Sequence, residues 1–210
     1  MKRFTLAIRI WLLSLAVWGV AIVLSFYYLD IAIALYCSRL SQHLSPLQEG
    51  LGSAVILSGE AATVMALVLA RMVRGSLPPY AEALAMACLA SICAYAINDG
   101  VLKLIFGVPN LADVMSGSRH AFHFWRGSPH SNFPSGHMVL AGAFAGVFIR
   151  LYKTSTLPLA ILVLLAAALL VAGGWHFLSD VIAGAFLGLS AGLLAGELWQ
   201  SHRMRLRDVC

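Results

Sequence analysis

Along this chain the polar residues come in short clusters between long apolar runs, and each run approaches the roughly 20 residues a helix needs to cross a hydrocarbon core. Six runs stand out, near residues 6–28, 52–70, 79–106, 137–153, 156–174 and 177–199. They predict an all-α fold, a polytopic membrane protein built as a bundle of six transmembrane helices. Between the first two, DIAIALYCSRLSQHL (residues 30–44) has scattered polar positions and is expected to form an interfacial helix or a loop, not a seventh span. With no internal repeat, low-complexity linker or shift in composition, residues 1–210 are expected to be one domain.

Composition agrees with the pattern. Sixty per cent of the 210 residues are hydrophobic and 11% are charged, against about a quarter charged in soluble domains. The four cysteines (Cys37, Cys88, Cys93, Cys210) show no paired metal spacing and are expected to be packing residues. The formal charge of +5 speaks to topology before it speaks to nucleic acid, which is not an expected partner. With both termini cytoplasmic, Lys2, Arg3, Arg9, Arg71, Arg74, Arg150, Lys153, Arg203, Arg205 and Arg207 fall inside, and Arg39, Lys103, Arg119 and Arg126 fall outside. That asymmetry follows the positive-inside rule. The first run is too long for a signal-peptide core and ends in no small-residue cleavage site, so it is read as a span. The expected location is a bacterial inner, or plasma, membrane.

This orientation gathers three distant polar clusters on the extracytoplasmic face. One is NFPSGH, Asn132 to His137, at the start of the fourth span. Ser135 is a good N-cap, Gly136 lets backbone approach a ligand, and a helix N-terminus offers N–H groups to an anion. The second is His176 with Asp180, four residues apart and so on one helical face; the carboxylate can hold one ring nitrogen and leave the other as a nucleophile. His137 is then available to protonate a leaving oxygen. The third is Lys103, an isolated cation ending an apolar helix, suited to neutralise a phosphate as a point charge. Asp99 stands four residues before it, the spacing of a simple helix-supporting ion pair.

The blocks LKLIFG, NFPSGH and WHFLSDVIAGAFLG, in order over residues 100–190, resemble the three signature blocks of the type 2 phosphatidic acid phosphatase family. The resemblance implies a six-helix membrane enzyme that removes phosphate from lipid phosphates or diphosphates. It implies that His176 attacks phosphorus to form a phosphohistidine, that Asp180 orients it, and that His137 is the acid for the leaving group. Ser135, Gly136 and Lys103 would hold the phosphoryl oxygens, with no metal or other cofactor. Two family arginines are missing: Val108, Asn110 and Leu111 stand where the first block's variants carry Arg or Arg-Pro, and Leu169 and Leu170 stand where the third has Ser-Arg. Arg119 and Arg126 are the expected substitutes for phosphate binding, with His120, His123 and His130 behind them.

Other readings of the same residues are open on the sequence alone. A phosphotransferase would use the same histidine, and a catalytically weak lipid-phosphate binder would fit the missing arginines. A metal-binding module would draw on His120, His123, His130 and His137, although no carboxylate or thiolate cluster lies nearby. Glu60, inside the second span, is a charge in an expensive place, read as either a functional group or a structural partner of Arg9.

Overall fold

A computed structural model of the chain describes residues 2–37 and 52–207, and among these there is no strand. Helix α1 (Lys2–Leu24) passes through a π-helical turn (Ser25–Leu29) into further helix over 30–37. Helix α2 is Ser53–Arg74. Helix α3 (Pro79–Ile97) is prolonged by a second π-helical turn (Asn98–Leu102) and by Lys103–Phe106. After the short α4 (Leu111–Met115) come α5 (Gly136–Leu151), α6 (Thr156–Ala172) and α7 (Leu178–Arg207). Local chemistry sets several ends. Gly75 closes α2 in the left-handed region with Arg71 and Arg74 in the last turn, and proline opens α3.

Among the described residues, five stretches are long and apolar enough to cross a membrane: Ile8–Cys37, Ser53–Arg74, Pro79–Met115, Lys153–Ala172 and Leu178–Arg205. The protein is a polytopic helical membrane protein. The expected fourth span, α5, has only 16 residues, roughly 24 Å of helix against a core of about 30 Å. Its shortness has a structural cause. Residues Ser131 to Ser135, just before it, are all buried, so non-helical chain enters the bundle there and covers the missing turn.

Helices α5 and α7 run parallel at the centre, joined by small residues. A Cβ on Gly184 would lie 2.4 Å from the Ser135 carbonyl oxygen, on Gly188 2.4 Å from that of Val139, and on Gly192 2.1 Å from that of Ala143. The four-residue spacing of Gly184, Gly188, Gly192 and Gly196 thus lets two backbones touch, the usual basis of tight helix association in lipid. Helix α3 lies antiparallel to α5, with Ser91 donating to the Leu140 carbonyl (3.2 Å) and Asn98 to the Pro134 carbonyl (3.1 Å). Helices α2 and α6 are peripheral. α2 buries no residue and α6 buries only Leu170.

Of the two forms expected for the stretch 30–44, the described part is helix and not loop: residues 30–37 carry α1 onward, with Asp30, Ala34 and Cys37 buried. The π-helical turn explains the change of face: one extra residue per turn rotates the downstream helix and swings Asp30 inward. Residues 38–44 lie outside the described residues.

Candidate active site

Because α5 and α7 are parallel, both N-termini open at the same end of the bundle. Ser135 caps α5, its hydroxyl oxygen accepting from the Met138 N–H (3.5 Å) while its own N–H donates to the Asp180 carbonyl (3.0 Å). Gly136 is required by Tyr95, whose ring a Cβ would approach to 2.7 Å. The NFPSGH loop is therefore fixed from the α3 side by Tyr95 and Asn98, and from the α7 side by Asp180 and Gly184. Its anion-attracting helix end is rigid before any ligand arrives.

His176 lies just before α7 and is 8% exposed, and Asp180, in its first turn, is fully buried. Their Nδ1 and Oδ2 atoms are 3.5 Å apart, longer than a good hydrogen bond, a spacing that substrate-free sites often show. Asp180 Oδ2 also accepts from the Asn132 side-chain amide (2.8 Å) and the Phe177 N–H (2.9 Å). These two donors set the carboxylate beside the imidazole. With Nδ1 turned to Asp180, Nε2 is the ring nitrogen left for chemistry. The His137 ring lies 5.8 Å from that of His176, centre to centre.

Lys103 is buried, and its ammonium group pairs with Asp99 (2.6 Å) and donates to the Pro129 carbonyl (3.2 Å). It ties the end of α3 to the loop that precedes α5. Arg126 is exposed and lines a loop pocket of about 300 Å³ with His123, His130 and Asp113, a pocket that includes neither His137 nor His176. Arg119 is exposed on the same loop. The four loop and motif histidines do not converge: His120 pairs with Asp30, His123 and His130 line the loop pocket, and His137 faces His176.

Several residues here carry no role that the sequence alone suggests. Asp30 accepts from the Ser179 N–H (2.9 Å) and hydroxyl and meets His120 Nε2 at 3.1 Å. The His120 ring packs against both Phe26 and Phe177, each centre 4.2 Å away. This second buried network grips the first turn of α7, one residue from Asp180. Asn132 belongs to the NFPSGH motif, but its bond to Asp180 is visible only in the fold. The signal for both was a polar residue bordering an apolar run, where burial demands a partner. The positions of the family arginines are filled by packing: Val108 is buried against Phe26, Phe133 and Ala183, and Leu170 against Met138, Val181 and Ala185. Asn110 caps α4 by accepting from the Asp113 N–H (2.8 Å).

Compared with known proteins, the chain matches the family model of the PAP2 superfamily over residues 79–204, which hold α3 through most of α7 and with them His137, His176 and Asp180. No curated protein and no solved structure matches it significantly.

Proposed function

This chain belongs to the PAP2 superfamily, and from that premise we propose that it is a lipid phosphatase, hydrolysing a phosphomonoester or diphosphate of a lipid through a phosphohistidine on the extracytoplasmic side of a bacterial inner membrane. The observation that carries this reading is the parallel pairing of α5 and α7, which sets the two histidine rings 5.8 Å apart at one mouth. A single phosphoryl group can bridge that spacing, with His176 Nε2 on one side of phosphorus and the leaving oxygen toward His137 on the other. His176 Nε2 forms the bond to phosphorus as the bond to the lipid oxygen breaks, and His137 gives that oxygen its proton. Asp180 keeps Nδ1 protonated and balances the charge that the ring acquires. Water then attacks phosphorus as the bond to His176 Nε2 breaks, His137 takes the water's proton, and inorganic phosphate leaves.

The α5 N-terminus with Ser135 and Gly136, and Lys103, receive the phosphoryl oxygens. Lys103 serves by leaving the Pro129 carbonyl for the phosphate. Arg126 and Arg119 act earlier, drawing the anion to the mouth. The basic ends of α2 and α5, at Arg71, Arg74 and Arg150, lie at the opposite end of the bundle and face the cytoplasm.

A radiolabelled lipid phosphate tests the chemistry. Acid-labile label is expected on the wild-type protein, absent from His176→Ala, and slow to turn over in His137→Ala; equal labelling of His176→Ala and wild type would overturn the assignment. Label that passes to a lipid or sugar acceptor without free phosphate would make the protein a phosphotransferase. The side of the membrane is tested by single cysteines at Ser116 or Ser128, expected to react with an impermeant thiol reagent from outside, against one at Ser155, expected not to react. The reverse pattern would move the site to the cytoplasm.

A further inference from the structure

Beside the two histidines, α2, α5 and α6 enclose a groove of about 300 Å³. His137 stands at its head, and Leu140, Phe144, Leu159 and Leu162 make its apolar walls. From His137 to Phe144 it follows α5 for roughly 10 Å. Glu60, from α2, is the one carboxyl among its lining residues. Ser91, whose hydroxyl lies beside that carboxyl, donates to the Leu140 carbonyl, so Glu60 sits near the level of Leu140, about one helical turn below His137. One Glu60 oxygen is buried without a hydrogen-bond partner. Among the described residues no ion pair joins Glu60 to Arg9 or any other base.

In-line transfer fixes what occupies this groove. The nucleophile and the leaving oxygen lie on opposite sides of phosphorus, so the lipid must depart on the side of its acid, His137, and His137, not His176, lines the groove. The groove therefore holds the leaving-group half of the substrate. A hydrocarbon tail alone leaves the Glu60 oxygen unsatisfied in an apolar setting, which is costly.

We infer that Glu60 is a specificity-determining residue, accepting a hydrogen bond from an O–H or N–H group carried a few bonds from the phosphate, so that the substrate is a lipid phosphate with such a donor. This rests on the phosphatase reading, with His137 as the leaving-group acid. A carboxyl oxygen accepts in either protonation state, so the recognition needs no particular charge on Glu60.

The test compares two substrates in the purified full-length protein: a 1-acylglycerol 3-phosphate with its free 2-hydroxyl, and its 2-O-methyl ether. Wild type is expected to favour the free hydroxyl in kcat/KM by about tenfold or more, the worth of one buried hydrogen bond. Glu60→Leu should bring the ratio to about one, and Glu60→Gln, which keeps an acceptor, should preserve most of it. A ratio near one in the wild type, or an unchanged ratio in Glu60→Leu, overturns the inference while leaving the phosphatase reading intact. A binding arm stands apart from turnover. With the four native cysteines replaced by alanine, Ala141→Cys in the groove wall should be shielded from a membrane-permeant maleimide by the free-hydroxyl lipid at about tenfold lower concentration than by the ether. If no lipid releases phosphate, the phosphatase reading falls and this arm alone decides the groove; equal shielding by both lipids rejects it.

Discussion

The pairs His120 with Asp30 and His176 with Asp180 lie on either side of the first turn of α7, and their burial is the same: each imidazole is 8% exposed and each carboxylate 0%. What separates them is how completely the two carboxylates are satisfied, since the Nδ1 atom of each imidazole is buried without a hydrogen-bond partner. Asp30 accepts at both oxygens, twice from Ser179 and once from His120, and the His120 ring packs against Phe26 and Phe177. Asp180 has one buried oxygen with no hydrogen-bond partner, and its imidazole stands 3.5 Å off, facing a second histidine. A pair closed at its carboxylate rigidifies, whereas one with a free carboxylate oxygen beside a helix N-terminus is poised to take a ligand. A histidine beside a carboxylate is thus no evidence of catalysis by itself; the unsatisfied carboxylate oxygen and the opposing second histidine are what distinguish the His176 pair.

The largest expected effect sets the two imidazoles against each other. His176→Ala should lower kcat/KM for phosphate release by about 10³-fold or more, with the thermal midpoint of the detergent-solubilised protein close to that of wild type. His120→Phe keeps an aromatic ring in its stack and loses only the bond to Asp30, and should retain kcat within about tenfold. A His120→Phe variant as inactive as His176→Ala would make the closed pair catalytic and erase the distinction.

Next in size come the carboxylates. Asp180→Asn preserves shape and hydrogen bonds but removes the charge that supports the reacting imidazole, and kcat should fall by about 10²-fold or more. Asp30→Asn should act chiefly on stability, by about 2 kcal/mol, because the amide cannot accept at both positions where Ser179 and His120 donate. Chemical denaturation and single-turnover labelling separate the two effects. Equal losses of kcat in both variants would mean that Asp30 works through the same proton as Asp180.

The contrast also marks what was legible in the sequence. Hydropathy located the spans, because burial in lipid and burial in protein both ask for apolar residues. For the same reason it could not say which helix is central: α6 is almost wholly apolar and buries one residue, while α7, punctuated by glycines, packs against α5 at the core. The four-residue glycine spacing was the readable clue to that pairing. His176 with Asp180, and Lys103 with Asp99, were readable because a helix turns four residues into neighbours. His120 and Asp30 are 90 residues apart, and a π-helical turn shifts Asp30 off the face that a regular 3.6-residue period assigns to it. Glu60 was visible as an expensive charge, but only the packing of α2, α5 and α6 places it in a groove headed by His137.

The smallest expected effect concerns the arginine that chain distance favours as a substitute for the missing ones. Arg126 lies eight residues before Pro134, yet it lines the loop pocket with His123 and His130, and that pocket shares no lining residue with the groove of His137. An exposed cation there interacts with an arriving phosphate through solvent, where attraction is modest and screened by salt. Arg126→Gln should therefore raise KM by a few-fold, about tenfold at most, with kcat unchanged, and the effect should shrink as ionic strength rises. Arg126→Lys should restore KM almost fully, since attraction over distance depends on charge and not on a bidentate fork. The opposite result is equally definite: a fall in kcat of about a hundredfold, insensitive to salt and not rescued by lysine, is the signature of a donor lost from the transition state. That outcome would require the loop to carry Arg126 over the α5 N-terminus when substrate binds, and the site would then have an arginine after all, supplied by the loop instead of by the helices that bury Val108 and Leu170.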